Sequence, residues 1–119
     1  MASIPIKLVC AGVLLACHAP AIAQSIIDEG TRTMHALREE PHRAAVCVAR
    51  NLDRHASRYT SQIRQGVEPA LVEIQVRAVE LTALAHFLLA RQGSTAVIWT
   101  TPERAGEREA LVASMLQGC

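Results

Sequence analysis

The strongest apolar rhythm in this chain runs over 68–93, EPALVEIQVRAVELTALAHFLLARQG. Leu71, Ile74, Ala78, Leu81, Ala85 and Leu88 recur there at spacings of three and four, while Glu73, Arg77 and Glu80 form a polar stripe and Gln75, Thr82 and His86 a weaker one. Pro69 suits a first helical turn, Arg91 puts a cation at the negative helix end, and Gly93 tolerates a left-handed cap. The pattern predicts one long helix packed on several sides.

The same punctuation brackets the preceding segment, which Glu40-Pro41 opens and Gln65-Gly66 closes. Between those marks Ala45, Val48, Leu52, Ala56, Tyr59 and Ile63 keep the three-four alternation of a helical seam, and the opposite face carries Arg43, Cys47, Arg50, Arg54, Arg58 and Ser61. A shorter helix is expected over 25–39, capped by Ser25, with Ile27, Met34 and Leu37 on one side and Gly30 weakening it. After Gly93, the run Ser94 to Thr100 reads as an extended connection or a single turn, anchored by Trp99. Thr101-Pro102-Glu103 then opens a last helix that turns Leu111, Val112, Met115 and Leu116 inward and stops at Gly118. The expected fold class is all-α, a small up-down bundle of about four helices with one disulfide. A rival reading makes 59–65 and 70–77 a β-hairpin, because Val72, Ile74 and Val76 alternate with Glu73, Gln75 and Arg77. The helical pattern covers the whole segment and agrees with both caps, so the bundle is the expectation.

Upstream of these elements, Lys7, the apolar run Leu8 to Cys17 and the small-x-small triplet Ala21-Ile22-Ala23 form a signal peptide over 1–23, with Gln24 as the expected mature N-terminus. Leu14-Leu15-Ala16-Cys17 resembles a lipoprotein cleavage box, so lipid anchoring at Cys17 is the alternative processing route. Both routes export the chain across a bacterial inner membrane, which places it in the periplasm. The 68–93 helix is not a membrane span, since Glu73, Arg77, Glu80 and His86 would sit in hydrocarbon at roughly 2.5–3.5 kcal/mol for a charged group near the centre.

Removing 23 of 119 residues leaves 96, one small domain over 24–119. Its charge is balanced: of 12 basic residues Lys7 is lost, leaving eleven Arg against eleven Asp plus Glu. Non-specific nucleic-acid binding finds no support in that balance. Cys47 and Cys119 remain in the mature part, and in an oxidising compartment a lone pair is expected to be a disulfide, here a staple over the outside of the second helix.

Catalytic and metal patterns are absent from the sequence. His35, His42, His55 and His86 show no i, i+4 pair or Cys-x-x-Cys companion, so no metal is expected, and no glycine-rich loop cradles a phosphate-bearing cofactor. His42 stands one turn before Cys47, a Cys–His nucleophile spacing, but Cys47 has an oxidised partner and no oxyanion donor beside it. The arginine stripe of the second helix is the one constellation suited to carboxylates or phosphates on a partner.

A signal peptide, a mature chain under 100 residues, a helical body and one cysteine pair together resemble the small periplasmic immunity proteins that protect bacteria against type VI secreted peptidoglycan amidases. The resemblance is one of profile and assigns no residue. It implies a non-catalytic inhibitor that occludes a cell-wall amidase, the alternative being a structural or assembly factor of the envelope. The expected contacts are the turn at Gln65, Gly66 and Glu68, the connection with Ser94 and Trp99, and Arg50 and Arg54 as charge contacts. The expected partner is a protein and not nucleic acid, and a homodimer is compatible with the same profile.

Overall fold

The computed structural model describes residues 25–66, 71–101 and 105–119. The signal segment, the Glu68-Pro69 helix start with the candidate contact Glu68, and the Pro102-Glu103 cap lie outside the described residues. A helical turn α1 over 25–29 leads into β1 (Thr31–Leu37), α2 (Pro41–His55), β2 (Thr60–Gln65), β3 (Leu71–Arg77), β4 (Leu81–Leu89), β5 (Ser94–Thr100) and α3 (Ala105–Leu116). The strands form a five-stranded antiparallel sheet in the order β1-β5-β4-β3-β2. The expected all-α helical bundle is therefore wrong. The sheet dominates the fold, with α2 and α3 on one of its faces.

The predicted 68–93 helix is instead the β3–β4 hairpin. In β3 the period-two alternation wins: Val72, Ile74 and Val76 are buried on the helix side while Glu73 and Arg77 turn the other way. In β4 the run LTALAHFLL shows no alternation because the strand lies inside the sheet with apolar groups on both faces, a pattern that also fits a buried helix. The turn between them, Ala78-Val79-Glu80, contains none of the usual turn residues. Upstream, the rival hairpin reading is the observed one: β2 and β3 pair with Ile63 opposite Ile74 and Gln62 opposite Gln75.

The other expectations meet the structure unevenly. Helix α2 begins at Pro41 as expected but stops at His55, so Ala56, Tyr59 and Ile63 leave its seam. The expected first helix shrinks to α1, ended at Gly30, whose amide donates to the Ile26 carbonyl at 2.8 Å; the rest of that segment is β1. The expected connection after Gly93 is strand β5, between β1 and β4. Helix α3 falls where the last helix was expected.

Ala44, Ala45, Val48 and Leu52 of α2 lie fully buried on the sheet face made by Val72, Ile74, Val76, Ala83, Ala85, Phe87, Ala96 and Ile98. Alanines on both sides of this contact let the helix come close to the strands, and Phe87 fills the remaining depth. Leu111 and Met115 of α3 close the core beside α2. Among the described residues no helix is long and apolar enough to cross a membrane.

Candidate functional site

Two hairpins end side by side at one end of the sheet. The β4–β5 hairpin is closed by the Ala90 amide on the Gly93 carbonyl, with Gly93 at φ +77°. An L side chain there would be strained and would collide with the Leu37 carbonyl, so the sharp return depends on glycine. Beside it, Gly66 donates its amide to the Leu71 carbonyl at 2.8 Å, and Gln65 Nε2 reaches the same oxygen at 3.1 Å. Leu71 pairs with Leu88, so the expected contacts Gln65 and Gly66 stand next to the β4–β5 shoulder.

That shoulder is apolar and wet. Leu88 is 42% exposed and Leu89 63% exposed, on opposite faces of the same strand end. The side of the sheet away from α2 continues from Leu88 into a polar ladder crossing three strands. Glu73 and His86, opposite each other on β3 and β4, are hydrogen-bonded at 3.1 Å, each side chain about one-fifth exposed. Gln75 donates to the second Glu73 oxygen at 3.3 Å, and Arg77 donates to the Gln75 carbonyl oxygen at 3.2 Å. On the far side, the His86 ring meets Trp99 of β5 edge-on with 4.9 Å between centroids. Each ladder member is held by a neighbour on the face behind the hairpin end.

The other expected contacts lie elsewhere. Arg50 and Arg54 flank a cleft on the outer side of α2 with Arg43, Cys47, Asn51 and Gly118, and neither has an ion-pair or hydrogen-bond partner among the described residues. Cys47 and Cys119 are joined by a disulfide in the wall of that cleft, with 6.0 Å between their Cα atoms. Ser94 faces the core at 1% exposure, and Trp99 sits at the other end of β5, against His86. The hairpin end thus gathers Gln65 and Gly66 but neither arginine nor Trp99.

Sequence reasoning missed Leu88 and Leu89 because it placed both on one helix, where Leu88 belonged to the seam. The Glu73–His86 pair was missed for the same reason: thirteen residues apart, they meet only across a hairpin. Two consecutive leucines just before Ala-Arg-Gln-Gly, read as a strand running into a turn, are the signal that could have exposed them. At the other end of α2, the Glu40 carboxylate accepts the Arg43 amide at 2.7 Å and the His42 amide at 3.2 Å. The Arg43 amide in particular holds this carboxyl below its ordinary range. Among the described residues no cluster of three or more His, Cys, Asp or Glu could hold a metal ion.

Comparisons with protein families, curated proteins and solved structures find no match to this chain.

Proposed function

We propose that this chain is a non-catalytic binding protein of the bacterial periplasm that engages a protein partner with the hairpin end of its sheet. The observation that carries the proposal is the exposed pair Leu88 and Leu89 on a shoulder braced by Gly93, the neighbouring β2–β3 hairpin and the Glu73–His86 ladder. Exposed leucines at the end of a hydrogen-bonded strand suit an apolar partner surface, because a paired backbone loses little ordering entropy on docking and the side chains are desolvated there. The site differs from the contacts expected from the sequence, since the connection that was to offer Ser94 and Trp99 is the internal strand β5.

Export, small size and a single cysteine pair make a secreted peptidoglycan amidase the leading partner class, with this chain occluding it as an immunity protein. The test is to express the chain with the product of the adjacent gene, measure association by calorimetry and assay peptidoglycan cleavage. Binding and slowed cleavage, both weakened at least roughly tenfold by Leu89→Asp, are expected. An amidase that is neither bound nor slowed overturns the immunity role and favours envelope assembly; binding indifferent to Leu88→Asp and Leu89→Asp overturns the hairpin end.

A further inference from the structure

We propose that two copies of this chain pair through the edge of β1, which carries no further strand among the described residues, to form one continuous antiparallel sheet. The direction of each backbone group follows from the register. Thr101 donates its amide to the Thr82 carbonyl, and Thr100 pairs with Ala83 on one side and Thr31 on the other. Residues of antiparallel strands alternate in the side to which their N–H and C=O point. Thr100 therefore turns its groups toward β1, where Thr31, Thr33, His35 and Leu37 receive the ladder. Arg32, Met34 and Ala36 are left with backbone groups pointing out of the sheet.

These three positions are centred on Met34. A two-fold axis there sets Met34 opposite its own copy and Arg32 opposite the second copy's Ala36, each pair exchanging two backbone hydrogen bonds. The pairing is self-complementary in charge, since the one charged residue of β1 meets an alanine. Arg32, Met34 and Ala36 are all exposed, Met34 at 62%. The strand lacks the usual safeguards of an open edge, having neither proline nor a bulge and a single charge. The opposite edge, β2 with the sequence TSQIRQ, is more polar.

Between β1 and α3 lies a cleft of about 480 Å³, with Thr31, Thr33 and His35 on one wall and Arg108, Glu109, Val112 and Leu116 on the other. The axis at Met34 keeps both helical layers on one side of the joined sheet. The antiparallel arrangement sends the two hairpin ends in opposite directions, leaving both Leu88–Leu89 shoulders free.

Sedimentation velocity of the exported chain, purified from the periplasm over a wide concentration range, tests the pairing. A monomer–dimer equilibrium is expected, and Ala36 sets its sign. Ala36→Glu brings a carboxylate to each Arg32 of the other copy and tightens the dimer, whereas Ala36→Arg opposes like charges twice and loosens it by roughly tenfold. Met34→Pro removes only an outward-pointing N–H, so it abolishes the dimer while the thermal transition of the monomer persists. A chain that stays monomeric at every concentration overturns the proposal. So does a dimer that Ala36→Glu and Ala36→Arg shift in the same direction, because its interface is then elsewhere.

Discussion

Asn51, in the C-terminal half of α2, donates its side-chain amide to the main-chain carbonyl of Met115 in α3 at 2.9 Å, joining the two helices through residues 64 positions apart in sequence. The same nitrogen lies 2.8 Å from the Gln117 carbonyl and 3.3 Å from Cys119 Sγ. The last carbonyls of a helix have no partner within it, and here a side chain from a neighbouring helix supplies one. Gly118, at φ +71°, turns the chain back so that Cys119 reaches Cys47, one helical turn before Asn51. The C-terminal end of the chain is thus held twice by one face of α2, covalently at Cys47 and by hydrogen bonds at Asn51.

Replacing Asn51 by Ala leaves buried carbonyls without their donor and should lower the unfolding free energy by about 1–3 kcal/mol. Asn51→Asp keeps the shape but turns a donor into an acceptor facing other acceptors, at the negative end of α3. It should be the worse of the two at neutral pH. Urea unfolding of both variants checks the order, and an aspartate variant as stable as the wild type would contradict it.

Reduction of Cys47–Cys119, or the pair Cys47→Ser and Cys119→Ser, opens a loop between residues 72 apart. The chain-entropy treatment puts the loss at about 4 kcal/mol. Because Asn51 and the disulfide hold the same segment, their effects should not add: once the bond is open the tail is free to fray, and Asn51→Ala then costs less. A double-mutant cycle measured by urea unfolding should give a coupling energy clearly different from zero.

Glu40 supplies the pH dependence. Its carboxyl is held below the ordinary value chiefly by the Arg43 amide, so the folded state prefers the ionised form. The associated stability is present above the unfolded-state pKa and is lost as pH falls through the lowered folded-state value. Glu40→Gln should therefore melt below the wild type at neutral pH, and the two melting temperatures should converge in acid. A gap that stays constant down the pH series would show that the cap does not depend on charge.

How much of this architecture was legible depends on what each segment packs against. The start of α2 was readable because Glu40-Pro41 is a local signal that acts where it stands, and Val48 and Leu52 keep helical spacing on a half-buried helix. The C-terminal end of α3 was readable for a similar reason, since Gly118 takes a positive φ just past it. Strand β4 was not: Leu84 and Phe87 are both fully buried although they point to opposite faces, so the two-residue period is erased. Leu81, Ala85 and Leu88 then supplied a false helical seam. Val72, Ile74 and Val76 kept a true strand alternation that was outweighed by caps at both ends of the longer segment. Of the site, Gln65 and Gly66 were found as turn residues. Leu88 and Leu89 were hidden by the wrong period, and His86 could not be paired with Glu73 without the hairpin. The disulfide needed only the compartment and the cysteine count.

Ser94 separates a structural role from a binding role at a position the sequence offered as a contact. Its side chain points to the core face of β5, 1% exposed, and its hydroxyl has no hydrogen-bond partner among the described residues. A buried hydroxyl without a partner loses its hydration and gains nothing in return, a cost of about 1–3 kcal/mol in protein interiors. Ser94→Ala removes the oxygen, leaves Cβ in place and suits a strand flanked by Ala96 on the same face. The variant should be more stable than the wild type by about 1 kcal/mol, seen as a higher urea midpoint at unchanged slope. Its affinity for a protein partner should not change if the proposed contacts, Leu88 and Leu89, are the ones used. A less stable variant would mean that the hydroxyl is satisfied in solution, and a more stable variant with weakened binding would place Ser94 back among the contacts.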